Sequence, residues 1–197
     1  MELAAALHES PIRILGDLTE ECDERIGEAY SEEVRLLGVS NIDGFCDPKG
    51  NIGKHPEKYK IVREGYLAYN PMRINIGSIG VAVDEADMGI TSPDYVVFRC
   101  NGAVLPEYVY HFLRSEAGRH EINLKSKGSV RFRLYYKQLS EIPIPVPDDL
   151  QLQARFAALC RNLENIKKRS GSIAINTEQA LDAMRREVFL KNQSGNL

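Results

Sequence analysis

The last quarter of the chain carries the pattern that most restricts the fold. From about Leu150 to Phe189 there is no proline and one glycine, and apolar residues recur at steps of three and four. This spacing predicts a long amphipathic helix with a coiled-coil seam. The seam residues are Phe156, Leu159, Leu163, Ile166, Ile173, Met184 and Val188. Because a helix of about 40 residues is ~60 Å long, roughly twice the diameter of a domain of this size, we predict that much of the seam packs on a helix of another chain.

A glycine interrupts this stretch near its middle, within Ser170-Gly171-Ser172. Glycine inside a helix costs about 1 kcal/mol relative to alanine. The small residues are explained either by a close helix crossing or by a break in the helix. The alternative that the helix packs on its own domain also stays open. The length argument favours one long helix that pairs antiparallel with a second copy.

The residues before this helix alternate between strand patterns and one helical stretch. Strand-like runs occupy 34–39, 59–69 (two strands around a glycine), 74–83, 94–98 and 129–135. Residues 105–125 change to helical spacing, and the proline-rich run at 142–147 can only be an extended strap. The chain is therefore predicted to be α+β: a mixed domain over 1–147, followed by a helical dimerisation and spacer region over 148–197.

Composition excludes several classes of function. The chain has 197 residues, a net charge of −3 and 43% hydrophobic residues, which is ordinary for a soluble protein. No apolar run reaches the ~20 residues that span a bilayer, so we expect a cytoplasmic protein without a membrane partner. The four cysteines and four histidines are scattered without the close pairs that zinc requires. We therefore predict no metal site.

The segment "NPMR" at 70–73 raises the question of catalysis. An adenine methyltransferase loop resembles Asn/Asp-Pro-Pro-Tyr/Phe, which holds and stacks on a flipped adenine. Here the second proline and the aromatic ring are missing. The glycines at 77 and 80 lie within a strand pattern, so they are only a weak candidate for a cofactor-binding loop. We predict a structural turn and no catalytic residue.

One window of the chain is strongly basic. Residues 119–137 contain six lysines and arginines against one acid, Glu121. Such a window suits contact with phosphates, where cations displace counterions. Arginine and asparagine can also read guanine and adenine edges. The predicted DNA-binding residues are Arg73, Asn75, Ser78, Lys125, Lys127, Ser129, Arg131 and Arg133. A merely solvated strand face is the competing interpretation.

Four segments in a fixed order resemble a known family. They are "YKIVREGYLAYNPMRINIGSIGV", "GITSPDYVVF", "LPEYVYHFL" and "GSVRFRLYYKQLSEIPIPVPDDLQLQARF". Together they resemble a target-recognition domain followed by a conserved-region helix of the specificity subunit of type I restriction–modification systems. The similarity extends from about Pro11 to Leu190. Family members usually carry two such domains and two long helices, so this chain resembles a half-subunit.

The resemblance implies a non-catalytic subunit that recognises one half of a bipartite DNA target. It would position a methyltransferase (modification) subunit, which binds S-adenosylmethionine, and a restriction subunit can join them. Identical chains related by a two-fold axis would read inverted repeats. Two alternatives stay open: the recognition portion of a fused or type II-like restriction–modification enzyme, and a coiled-coil adaptor that binds protein.

Overall fold

A computed structural model describes residues 10–48, 50, 52–126, 132–169 and 174–189, with no side-chain description for 167–169, 174–178 and 187–189. Its strands are β1 (Ile12–Ile14), β2 (Thr19–Glu21), β3 (Leu36–Ser40), β4 (Gly44–Cys46), β5 (Lys60–Val62), β6 (Tyr66–Tyr69), β7 (Ile79–Val81), β8 (Gly89–Thr91), β9 (Val96–Cys100) and β10 (Pro143–Pro145). Its α-helices are α1 (Leu15–Leu18), α2 (Pro106–Arg114), α3 (Glu116–Lys125), α4 (Tyr136–Leu139), α5 (Leu150–Arg169) and α6 (Ala174–Phe189). The α+β class predicted from the sequence is confirmed.

Two four-stranded sheets form the centre of the molecule. One has the order β2-β9-β6-β7 and is antiparallel throughout. The other has the order β4-β3-β8-β5, in which β3 and β8 run parallel. The two strands predicted within 59–69 therefore exist, but they belong to different sheets.

Alternation along the central strands separates two hydrophobic layers. Leu67 and Tyr69 on β6 belong to the cluster that includes the buried face of α2, whereas Ala68 belongs to a smaller cluster with residues of the second sheet. The register pairs Leu67 with Phe98 and Ala68 with Val97, so neighbouring strands present matching faces. The first sheet is consequently sandwiched between helices and the second sheet.

The helical stretch predicted over 105–125 is two helices. Pro106 occupies the first turn of α2, where its missing N–H has no cost. Ser115 lies between the helices and accepts a hydrogen bond from Gly118 N at 3.0 Å. Only glycine fits at 118, because a Cβ there would lie 2.1 Å from the Phe112 carbonyl oxygen. The cap and the glycine together let α3 turn sharply away from α2.

The proline-rich strap is extended, as predicted. Its central residues form β10, which pairs antiparallel with β1 so that Ile12 faces Pro145 and Ile14 faces Pro143. A two-stranded ribbon tolerates these prolines because its outer edge needs no N–H donors. The strap therefore ties the start of the described chain to the segment that leads into α5.

Two predicted strands are wrong in part. Residues Ile74–Ile76 form a 3-10 helix that ends at Gly77, which has φ of 81°, and only Ile79–Val81 is a strand. Isoleucines at 74, 76 and 79 imitate a strand in sequence, but the left-handed glycine ends the turn between them. Residues 132–135 have no regular structure, and 129–131 lie outside the described residues.

The predicted single C-terminal helix is corrected to a pair of helices. Helices α5 and α6 pack on each other, and α6 also contacts α2 and α3. Arg185 on α6 reaches Glu164 on α5 at 3.2 Å, and Arg186 reaches Glu116 on α3 at 2.9 Å. Phe156 and Leu181 belong to the main hydrophobic cluster of the domain that precedes α5, residues up to 147, which we call the head. The seam residues Phe156, Leu163 and Met184 therefore pack within this chain, whereas the length argument predicted packing on a second molecule.

Candidate nucleic-acid interface

The turn at 70–73 is held by its own backbone and by Asn70. Arg73 N donates to the Asn70 carbonyl at 2.9 Å, and Met72 N donates to Asn70 Oδ1 at 2.9 Å. Pro71 is buried and fixes its own φ. The Asn70 side chain is therefore occupied in shaping the turn, which agrees with its predicted structural role.

A hydrogen bond joins the two predicted DNA-binding segments. Leu134 N donates to the Pro71 carbonyl oxygen at 3.1 Å. Arg73 and Arg133, which are far apart in sequence, thereby lie on adjoining segments, and both are exposed. Arg133 Nη1 also donates to Tyr135 Oη at 3.2 Å. The structure therefore places on adjoining backbone segments two arginines that the sequence analysis identified separately.

The other predicted DNA-binding residues have different surroundings. Ser78 is buried, and its Oγ donates to the Val39 carbonyl at 3.0 Å, so the fold uses this hydroxyl. Asn75 is half-buried on the 3-10 helix. Lys125 forms an ion pair with Glu141 at 3.1 Å at the end of α3. Lys127, Ser129 and Arg131 lie outside the described residues.

Two cavities flank the turn at 70–73. One of about 510 Å³ lies between the turn and β3, with Asn41, Tyr59, Arg73 and Tyr95 among its lining residues. The other, of about 380 Å³, is lined by residues that include Lys60, Met72, Tyr95, Arg133 and Tyr135. Sequence reasoning missed the tyrosines and Met72. Their signal was the presence of large apolar groups within polar, turn-forming segments.

Tyr95 lies between both cavities and supports the turn. Burial raises the pKa of its hydroxyl, although hydrogen bonds with the Asn70 side chain and the Val39 backbone oppose that rise. The hydroxyl is therefore neutral near pH 7, and its hydrogen bonds connect the turn at Asn70 to Val39 on β3.

The predicted helix seam divides into buried and exposed members. Phe156 is fully buried against Tyr108, with ring centroids 5.4 Å apart. Leu163 and Met184 are partly buried against the same core. Leu159 and Ile166 on α5 remain 40% and 48% exposed. Ile173 and the side chain of Val188 lie outside the described part of the structure.

A charged cluster joins α6 to the head. Arg185 is buried, and its Nη2 lies 3.3 Å from His111 Nδ1 and 3.2 Å from Glu164 Oε1. Burial, and then the positive charge of Arg185, lowers the pKa of His111 well below its usual value. His111 is therefore neutral near pH 7 and can accept a hydrogen bond from the guanidinium. No local sequence pattern indicates this cluster, because its members lie on three separate helices.

Two further properties concern the described residues as a whole. No group of three or more histidine, cysteine or acidic side chains among them could hold a metal ion. No helix among them is long and apolar enough to cross a membrane. The four cysteines are free thiols.

Comparison with known proteins gives a match of fold only. No family model and no curated protein matches the chain. The HsdS subunit from Thermoanaerobacter tengcongensis matches with a TM-score of 0.63 and 20% identity, over 86% of this chain and 47% of that one. A chain from a structural study of complex assembly and conformational transition of the type I restriction–modification system matches with a TM-score of 0.63 and 20% identity, over 85% and 46%.

A third solved structure gives the same result. The S subunit of a type I restriction–modification system from M. genitalium matches with a TM-score of 0.55 and 15% identity, over 95% of this chain and 48% of that one. The fold is thus that of type I specificity subunits, which confirms the resemblance seen in the sequence at the level of fold. The chain spans about half the length of these structures.

Proposed function

We propose that the chain is a DNA-specificity subunit of a type I restriction–modification system. The observation that carries this proposal is the match of its fold to HsdS subunits over most of the chain. The exposed Arg73 and Arg133 on adjoining segments support a DNA-facing role for the head. The head over 1–147 reads one half of a bipartite target, and the helices over 148–197 set its position.

The chain itself directs methylation without performing it. Asn70 is used by the turn, and Tyr95 is held neutral by burial, so neither is suited to transfer a proton or a methyl group. A methyltransferase subunit supplies S-adenosylmethionine and the reaction, and a restriction subunit can join the assembly. In this division of roles, the head is the part that discriminates between DNA sequences.

A second copy of the chain supplies the other half of the target. Leu159 and Ile166 lie seven residues apart on α5, on one helix face that stays exposed after α6 has packed. Antiparallel contact along this face would relate two heads by a two-fold axis, so that they read inverted repeats.

A salt titration of DNA binding tests the central claim. Binding of a fluorescent duplex to the wild-type chain should weaken steeply with salt, because cations that contact phosphates displace counterions. The double variant Arg73→Ala/Arg133→Ala should reduce the slope of log K against log salt by about two and lower affinity at least about tenfold. Arg13→Ala is the matched control, since Arg13 pairs with Asp148 near the proline-rich strap.

The outcomes separate the proposed function from its alternatives. Salt-insensitive or absent DNA binding would favour the protein-binding adaptor. Saturable binding of S-adenosylmethionine by the purified chain would favour a fragment of a fused enzyme. Equal losses in the double variant and in Arg13→Ala would retain DNA binding but contradict this placement of the interface.

A further inference from the structure

The exposed apolar side chain of Met72 is unexplained by the fold. Its backbone is fixed by the hydrogen bonds of the turn, and the Arg73 carbonyl accepts N–H groups of Ile76 and Ser78, each at 3.2 Å. Yet 52% of the Met72 surface remains exposed. A rigid backbone that presents a large apolar side chain to solvent is typical of a surface that binds something.

Tyr135 is presented beside Met72 in the same way. Each follows one partner of the Leu134–Pro71 hydrogen bond by one residue, and the two side chains line the same 380 Å³ cavity. Tyr135 is 48% exposed, and its hydroxyl accepts a hydrogen bond from Arg133. Arg133 also lines this cavity, and Arg73 follows Met72 in the turn, so that Met72 and Tyr135 form a pair of exposed side chains on the wall of one cavity. We call this pair the apolar tip.

The charges around the apolar tip decide what it can meet. Arg73 and Arg133 are exposed and attract phosphates. The cavity beside the tip is also lined by Glu21 and Asp94, which repel phosphates but accept hydrogen bonds from base amino groups. A duplex fits both requirements if its backbone follows the arginines while its bases face the tip.

We propose that Met72 acts as a wedge that inserts at a base-pair step, with Tyr135 as a second apolar contact beside it. Apolar wedges such as methionine unstack neighbouring bases and kink the duplex. The energy of that deformation depends on the sequence of the step, so Met72 would contribute to specificity without a hydrogen bond to any base. The proposal rests on the DNA-reading function proposed above and adds a residue that the sequence did not indicate.

A mismatched duplex tests the wedge without knowledge of the target. Two short fluorescein-labelled duplexes share one sequence, except that one contains a central A·A mismatch. A step that is already poorly stacked costs less to open, so the wild-type chain should bind the mismatched duplex about tenfold more tightly. Met72→Ala should bind both duplexes equally, with little change for the matched one. Met72→Leu, which keeps an apolar side chain of similar size, should retain the preference.

The control is Leu150→Ala, which shortens another exposed apolar side chain, 42% exposed at the start of α5, and should behave as wild type. Salt-dependent binding of both duplexes with equal affinity by the wild-type chain would overturn the wedge and leave DNA reading intact. Failure to bind either duplex at low salt would instead overturn the proposed function, and the wedge with it. A mismatch preference that persists in Met72→Ala would assign the effect to another residue.

Discussion

The turn at 70–73 is fixed by backbone hydrogen bonds and one amide side chain, whereas α6 is held on the head by the apolar side chains of Leu181 and Met184 and by side chains that carry charge. Around the turn, Asn70, Pro71 and Leu134 make contacts that involve no ionised group. At α6, Arg185 is buried between His111 and Glu164, and its Nε has no hydrogen-bond partner among the residues that the structure describes. The conformation of the turn should thus be insensitive to pH and salt, while the docking of α6 depends on both.

The proposed function accounts for this difference. A surface that discriminates DNA sequences needs one geometry, and backbone hydrogen bonds provide it without charged groups that compete with phosphates. A helix docked through a buried guanidinium has little net stabilisation, because desolvation offsets much of the attraction. Helix α6 is therefore the element of the molecule that we expect to detach first.

Truncation of Phe156, the aromatic residue of α5 that packs on the head, should have the largest effect on stability. Phe156→Ala removes a ring that is fully buried against Tyr108 and lies 6.1 Å from the His111 ring. We expect a loss of about 3–5 kcal/mol in the free energy of unfolding, measured by urea denaturation. The loss should come with release of the helices from the head, detected as faster amide exchange in α5 and α6.

Leu159→Ala is the matched control for Phe156→Ala, because both residues belong to the predicted seam. Leu159 is 40% exposed, so its truncation should change stability by no more than about 0.5 kcal/mol. If Leu159 pairs with a second copy, this variant should instead weaken self-association in sedimentation experiments. A monomer destabilised equally by both substitutions would contradict the division of the seam into buried and exposed members.

The neutral His111 gives α6 docking a dependence on pH. Its pKa is lowered by burial, by Arg185 on α6, by Arg114 on its own helix and by Arg161 on α5, while Glu164 lies 3.8 Å away and is shared with Arg185. Because the folded pKa lies below the unfolded value of 6.5, the stabilisation is present above about pH 6.5 and is lost as the pH falls below it. The loss should approach about 1.4 kcal/mol per pH unit at most.

Urea unfolding at several values between about pH 7.5 and pH 5 measures this slope, in a range where most carboxylates stay ionised. His111→Gln should flatten the dependence even if the variant is less stable. His120→Gln should retain it, because His120 is exposed on α3. Equal slopes in wild type and His111→Gln would remove His111 as the cause.

The sequence identified the elements of the head more reliably than their contacts. Hydrophobic alternation found β6 and β9, and helical spacing found α2, because each pattern is local. The 3-10 helix at Ile74–Ile76 was read as a strand, since its isoleucines are β-branched and only the backbone of Gly77 reveals the turn. The bond from Leu134 to Pro71, which brings Arg73 and Arg133 together, joins distant segments and has no local signature.

The C-terminal helices show a second limit of sequence reasoning. An apolar seam indicates that a helix needs a partner, but it does not say which chain supplies that partner. Phe156 was predicted to pack on a partner helix, yet its aromatic neighbours in the structure are Tyr108 and His111 of the same molecule. Arg185 is not among the predicted seam residues, although it is buried in the structure.

The smallest effect we predict concerns the turn itself. Asn70→Ala removes the side-chain acceptor for Met72 N and the hydrogen bond that opposes the rise in the pKa of Tyr95. One neutral hydrogen bond contributes about 1 kcal/mol, so we expect a loss of that size in the free energy of unfolding. Amide exchange at Met72 should become faster, while exchange in α6 should stay unchanged.

Asn70→Asp keeps an oxygen acceptor and should retain most of the protection at Met72. Unlike the variants at His111, Asn70→Ala should lose the same stability at about pH 7.5 and pH 5.5, because Asn70 does not titrate and Tyr95 stays neutral in that range. A pH-dependent loss would mean that the turn is coupled to the charged cluster at α6. The turn and the docking site of α6 would then form one cooperative unit, in which protonation of His111 changes the stability of the turn.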